Sequence, residues 1–144
     1  MEDWRTGGLA RGGREEGEIG KGGGEMEFSY RNLKVWQKSL ALIKNVYAVA
    51  EKLPKNEENN LKQQLKKSVI SVALNIAEGK SRQTAKEFSQ FLNISAGSLH
   101  EAHAVLVICF ELGYLNSIDA IHLEIESLAK MINALRSSLH SNEN

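Results

Sequence analysis

From Asn32 to Leu139 the apolar residues of this chain recur at alternating intervals of three and four, the period of helices that each bury one face. A first helix is predicted from about Asn32 to Lys52, with Leu33, Trp36, Leu40, Ile43, Tyr47 and Ala50 as its buried seam. Pro54, the single proline, ends it because the ring supplies no N–H and blocks a further turn. A second helix starts near Asn56 or Glu57 and stops at Gly79, placed as a C′ glycine; its stripe is Leu61, Leu65, Ser68, Val72 and Ile76. Thr84-Ala85-Lys86-Glu87 spells a capping box that opens a third helix. Phe88, Leu92, Ser95, Leu99, Ala102, Leu106 and Cys109 form its seam, and Gly113 stops it. Asn116 or Ser117 caps a fourth, with Ile118, Ile121, Ile125, Leu128, Ile132, Leu135 and Leu139 in line. No stretch alternates as a strand would. Four such helices joined by short connections predict an all-α fold, an up-down-up-down antiparallel four-helix bundle.

Three helices carry a second apolar row. It comprises Val35, Leu42, Val46 and Val49 on the first, and Ile70, Ala73, Leu74 and Ala77 on the second. Gln63, Lys66 and Lys67 continue the second row one turn earlier, and Val105, Ile108 and Leu112 make the third. This is more apolar surface than a lone bundle hides, and it predicts a homo-oligomer with Ile70, Ala73, Leu74, Ala77, Val105 and Ile108 at the subunit interface. Along one flank of the second helix run Gln64, Ser71, Asn75 and Glu78, joined by Glu101 from the third. Beside a core such groups need hydrogen-bond partners or cost roughly 1–3 kcal/mol each. Their expected role is structural, in registry or subunit contact, with Glu78 pairing to Lys80 or Arg82; direct ligand contact is the alternative.

Several of these residues fall in strings with a family resemblance. Gln64-Leu65-Lys66-Lys67, Ser71 and Asn75-Ile76-Ala77-Glu78-Gly79 resemble the signature of the four-helix-bundle proteins encoded in 23S ribosomal RNA intervening sequences. Leu33-Lys34-Val35-Trp36-Gln37-Lys38 before them, and Phe91-Leu92, Gly97-Ser98-Leu99 and Glu101 after them, match in order. The resemblance runs from about Phe28 to Leu139. It implies a ring-like homopentamer associated with inserts in bacterial ribosomal RNA. Through a related branch it also implies an accessory role beside the reverse transcriptase of diversity-generating retroelements. Two departures stand out: Lys66 and Lys67 replace a usual pair of arginines, and Ser95 replaces a small apolar residue. Lysine keeps the charge but loses the flat bidentate fork that grips phosphate by shape.

Charge sharpens the picture. The chain is neutral overall, yet residues 61–86 hold six basic groups against Glu78 alone, while residues 87–144 hold two basic and seven acidic groups. Lys62, Lys66, Lys67, Lys80, Arg82 and Lys86 are therefore the candidate nucleic-acid-binding residues, expected on the outer side of the second helix and the following turn. No aromatic residue interleaves with them, so backbone contact rather than base stacking is implied.

Nine of the twelve glycines precede residue 25. A disordered tail is expected over 1–27, the bundle over 28–140 and a fraying C-terminus over 141–144. Lys21-Gly22-Gly23-Gly24-Glu25 reads like a translated purine-rich ribosome-binding site, so Met26 as the true start stands beside a genuine tail. The longest apolar run, Ala104 to Phe110, is seven residues against the roughly 20 that span a bilayer. Without a membrane segment or an N-terminal apolar leader, and with Cys109 as the only cysteine, a cytoplasmic protein with a reduced core thiol is expected.

Chemistry is sparse. His100 and His103 share a helix face, but no repeated Glu-x-x-His pattern surrounds them, and they are read as rim or surface histidines, with no metal or cofactor expected. With no nucleophile elbow, phosphate loop or paired acid–base carboxylates, the predicted function is non-enzymatic. It is a homo-oligomer binding structured RNA or DNA through a repeated basic surface. The alternative is a protein-interaction scaffold, such as an accessory subunit to a reverse transcriptase, without nucleic-acid binding of its own.

Overall fold

The computed structural model describes residues 28–141; the expected tail over 1–27, with its alternative start at Met26, and the last residues 142–144 lie outside them. Four helices are present among the described residues, and no strand: α1 Lys34–Ala50, α2 Leu61–Lys80, α3 Ala85–Glu111 and α4 Asp119–Ser141. Short 3₁₀ turns at Ser29–Asn32 and Lys55–Glu57 precede α1 and α2. Each helix packs on its neighbours in sequence and α4 closes against α1, with α2 on α3 as the most extensive pair. Cross-helix bonds run in opposite senses along paired helices, Ser71 to Ser98 and Ser95 to Val72 between α2 and α3, and His103 to His122 and Ser89 to His140 between α3 and α4. The bundle is antiparallel.

The seams predicted for α3 and α4 are the buried ones: all seven named α3 residues are in the core, and so are Ile121, Ile125, Leu128 and Ile132. α1 is turned from the expected register. Of the predicted seam Trp36 and Ala50 are buried, but so are Val35, Ser39, Leu42 and Val46, whereas Leu33, Leu40 and Ile43 only flank the core and Tyr47 is exposed. The true line has the same helical spacing as the predicted one. Ser39 disguises it, and the serine is tolerated because its Oγ donates to the Trp36 carbonyl at 2.6 Å inside its own helix.

Two helix ends also differ from expectation. Asn56 and Glu57 do not start α2; the Glu57 carboxylate instead accepts from Asn60 Nδ2 at 2.9 Å, the Leu61 N–H at 3.4 Å and the Tyr114 hydroxyl at 3.0 Å, tying the start of α2 to the far turn. Gly79 is not a cap either, since the helix runs through it to Lys80. A Cβ there would sit 2.7 Å from Phe91 Cβ and 2.9 Å from Phe88 Cδ1, so the glycine permits close contact of α2 with α3. Gly113, at φ 82°, is the left-handed stop that the pattern predicts. Tyr114 N–H bonds Cys109 O and Gly113 N–H bonds Phe110 O, both at 3.0 Å, closing a Schellman motif. The Thr84 cap is made, its hydroxyl accepting from the Glu87 N–H at 3.1 Å.

α3 is the one described helix whose length and composition would suffice to cross a bilayer. Its apolar character has two sources here, the buried seam and an outward row at Ile94, Ile108 and Leu112.

Carboxylates near the α2 start make stability depend on acid. Burial opposes the charge of Glu57, but hydrogen bonds from Tyr114, Asn60 and Leu61 outweigh it and hold the carboxyl below its ordinary value. Glu58 is lowered by the hydrogen bond from Lys62. A carboxyl that titrates lower when folded stabilises fully above its unfolded pKa of about 4.3, and this is lost as the pH falls toward the folded value. Melting temperature should therefore drop as acid is added through that window, and the Glu57→Gln and Glu58→Gln variants should show a shallower acid limb than the parent.

Candidate nucleic-acid interface

The six basic residues do not form one patch. Lys62, expected on the outer side of α2, is only 7% exposed. Its ammonium lies 2.9 Å from Glu58 and 3.6 Å from Glu51. The hydrogen bond to Glu58 raises its pKa against the opposing effect of burial, and Glu51 adds to the rise. Such a lysine is a structural counter-ion between the α1–α2 connection and α2, so its assignment as a phosphate contact is corrected. Its long aliphatic stem explains the misreading: Lys62 precedes the buried line of Leu65, Ser68, Val69 and Val72, and the stem runs inward while the charged end meets two carboxylates.

Lys66 is half-buried, 3.4 Å from Glu51, with its ammonium 4.7 Å from the Tyr47 ring centroid. Lys67 beside it is exposed. About three and a half turns on, roughly 20 Å along the axis at 1.5 Å per residue, come the others. Lys80 stands 5.9 Å over the Phe88 ring. Arg82 pairs with Glu78, one of the two pairings expected for that carboxylate, and its guanidinium lies 4.8 Å over Phe91. Lys86 is exposed at the start of α3. Among the described residues Lys67, Lys80 and Lys86 have no carboxylate at ion-pair distance. Aromatic rings do accompany the cations, contrary to the linear reading. They come from α1 and α3, so only the fold brings Tyr47, Phe88 and Phe91 under residues of α2 and the turn.

The polar flank of α2 lies along α3. Gln64 donates to Glu101, Ser71 Oγ meets Ser98 Oγ at 2.7 Å, and Asn75 Nδ2 donates to Ser71 O at 2.9 Å and Ser71 Oγ at 3.1 Å. These contacts are side by side down one helix boundary. Glu78, one turn further, leaves the row to pair with Arg82.

The proposed interface residues divide. Ala73 and Val105 are 3% and 5% exposed and belong to the subunit's own core. A helix wedged between two neighbours buries a wider arc than one stripe, which a single-face reading underestimates. From the second row of α1, Val35, Leu42 and Val46 are likewise core, and Val49 is half-buried against it. Ile70 and Ala77 are half-buried. Leu74 at 60%, Ile108 at 46% and Leu112 at 55% remain outside. The linear reading missed Ile94, Phe110 and Leu123, which are also exposed. A signal existed for the first of these: Ile94, Gly97, Glu101, Ala104, Ile108 and Glu111 repeat the three-four spacing on the side of α3 away from its buried seam, and all six are exposed. Between α1 and α2 a shallow groove of about 320 Å³ is lined by Tyr47, Lys66, Lys67, Ile70, Leu74 and Asn75 among others. It combines cations, a phenol and aliphatic surface.

Residues 31–134 match the family described as 23S rRNA-intervening sequence protein. No curated protein matches the chain. The match takes in α1, α2 and α3 whole and most of α4, including the polar flank and every basic residue described above. The chain belongs to the 23S rRNA-intervening sequence protein family.

Proposed function

We propose that this protein is a non-enzymatic, homo-oligomeric four-helix bundle that binds structured RNA or DNA through a basic surface repeated from subunit to subunit. The observation that carries the reading is that, of the six candidate cations, Lys67, Lys80 and Lys86 on α2 and the α2–α3 corner have no carboxylate partner among the described residues. Lys66 and Arg82 flank them but are partly neutralised by Glu51 and Glu78. Few cations per subunit give weak binding. Repetition around an oligomer raises it by multivalency, and exposed Leu74 of α2, with the outward row of Ile94, Ile108 and Leu112 along α3, offers apolar surface for assembly. A homopentamer is the assembly implied by the family resemblance, and the cytoplasm the compartment in keeping with one buried thiol.

A titration of the purified chain with a structured RNA and a DNA duplex at two salt concentrations tests this, with subunit number read by light scattering. Binding should weaken steeply with salt. On a duplex, a lysine that neutralises one phosphate accounts for about 0.9 of the slope of log affinity against log salt. Each of Lys67→Gln, Lys80→Gln and Lys86→Gln should make that slope shallower by about this amount for every subunit in contact with the duplex. Lys62→Gln should leave the slope unchanged. A second reading, a scaffold or accessory subunit docking a protein such as a reverse transcriptase, is favoured by the ion pairing of three of the six cations within the fold. A clean oligomer that ignores both nucleic acids would select it.

A further inference from the structure

The Gly113 turn folds α4 back along α3, so residues at similar distances before and after it in sequence face each other. His103 and His122 are such a pair. His103 Nε2 lies 2.9 Å from His122 Nδ1, and the ring centroids are 5.1 Å apart. They border a groove of about 230 Å³ between the two helices, whose walls also carry His100, Glu126, Leu99 and Ile125. His100 is already oriented: its Nδ1 lies 2.8 Å from the Ala96 carbonyl, which can only accept, so the neutral ring keeps its lone pair on Nε2. A backbone carbonyl on the far nitrogen is how metal-binding imidazoles are commonly held.

We infer that His103 and His122 form a chelating pair for a borderline first-row dication of the zinc, copper and nickel class, bridging α3 and α4. The geometry is close to what an ion needs. Two imidazole nitrogens, each about 2.0–2.1 Å from a tetrahedral metal, stand roughly 3.3 Å apart, a few tenths of an ångström wider than the hydrogen-bonded pair. The ion replaces that hydrogen bond. Both rings bind it neutral, with the proton carried on the nitrogen away from the metal. Among the described residues no third histidine, cysteine or carboxylate completes a closed site. Water fills the remaining positions; His100 and Glu126 line the same groove without completing the site. Nitrogen donors favour this class over calcium and magnesium, which require oxygen. Because an ion held by both helices binds only the folded chain, it stabilises the bundle as well as occupying the groove.

Zinc titration of the full chain without a polyhistidine tag, by calorimetry near neutral pH and by thermal melting, tests the site. One ion per chain should bind, with a melting temperature that rises with zinc and a binding affinity that falls in acid. His103→Gln and His122→Gln should each lower affinity at least tenfold and abolish the thermal shift, whereas His140→Gln should leave both intact. Circular dichroism checks that each variant keeps its helices. Absence of both heat and thermal shift at millimolar zinc would overturn the inference, and so would undiminished binding by the His103 and His122 variants.

Discussion

Leu42→Ala should destabilise the bundle by about 2–5 kcal/mol in urea unfolding, and Leu40→Ala by less than half as much. The residues are two apart on α1, chemically identical and equally apolar in the sequence. Leu42 is fully buried and Leu40 lies at the edge of the core. Truncating Leu42 leaves a cavity among side chains from neighbouring helices, and close-packed interiors relax only partly around such a void. Against a total stability of about 5–15 kcal/mol for a domain of this size, the loss is a large fraction of what holds the fold. The spacing of Leu33, Trp36, Leu40 and Ile43 predicts the reverse order, so this pair of variants reads the rotation of α1 directly. Equal losses would place both residues at the same depth and contradict the register described above.

The second large effect is at Gly79. Gly79→Ala should lower stability by about 1–2 kcal/mol even though alanine is the better helix former. Its Cβ would meet the Cβ of Phe91 and the Phe88 ring below 3.0 Å, with the Phe88 carbonyl oxygen at 3.3 Å. Pushing α2 and α3 apart costs about 1–3 kcal/mol, of which up to about 1 is returned by helix propensity. Gly97→Ala is the matched control. Nothing lies within 4 Å of a Cβ at that position, it is exposed in the middle of α3, and the same substitution should stabilise by about 0.5–1 kcal/mol. Thermal melts of the two variants should move in opposite directions. A rise in both would mean that the α2–α3 contact yields freely.

How far the sequence disclosed all this depends on whether a residue's fate is set locally or by partners distant in the chain. The α3 and α4 seams, the Thr84 cap and the Gly113 stop rest on near neighbours, and all were legible. The register of α1 was not, because two lines with the same spacing compete and Ser39, satisfied by its own helix, disguised the buried one. Gly79 carried a correct position and an incorrect reason; only the approach of Phe88 and Phe91 reveals its role. For the candidate interface, composition located the basic segment. It could not show that Glu51, 11 and 15 residues away in the chain, reaches Lys62 and Lys66; the Glu58–Lys62 pair, one helical turn apart, was within reach of the sequence and was overlooked. The Glu78–Arg82 pair, one helical turn apart, was legible for that very reason. His122 was passed over since it stands 19 positions from His103. Folding the chain back at the Leu112–Gly113 turn would have brought them level.

Cys109 has a use that its burial creates. It is the only cysteine in the chain and lies wholly inside the core. Removal from water pushes its thiol up from the ordinary value, away from the reactive thiolate. A thiol reagent therefore meets nothing to modify on the closed molecule, and labelling must wait for the bundle to open. The chain carries a built-in clock for its own opening. One covalent mark per molecule, countable by mass, records how often the four helices part, with no dye or engineered probe needed to see it.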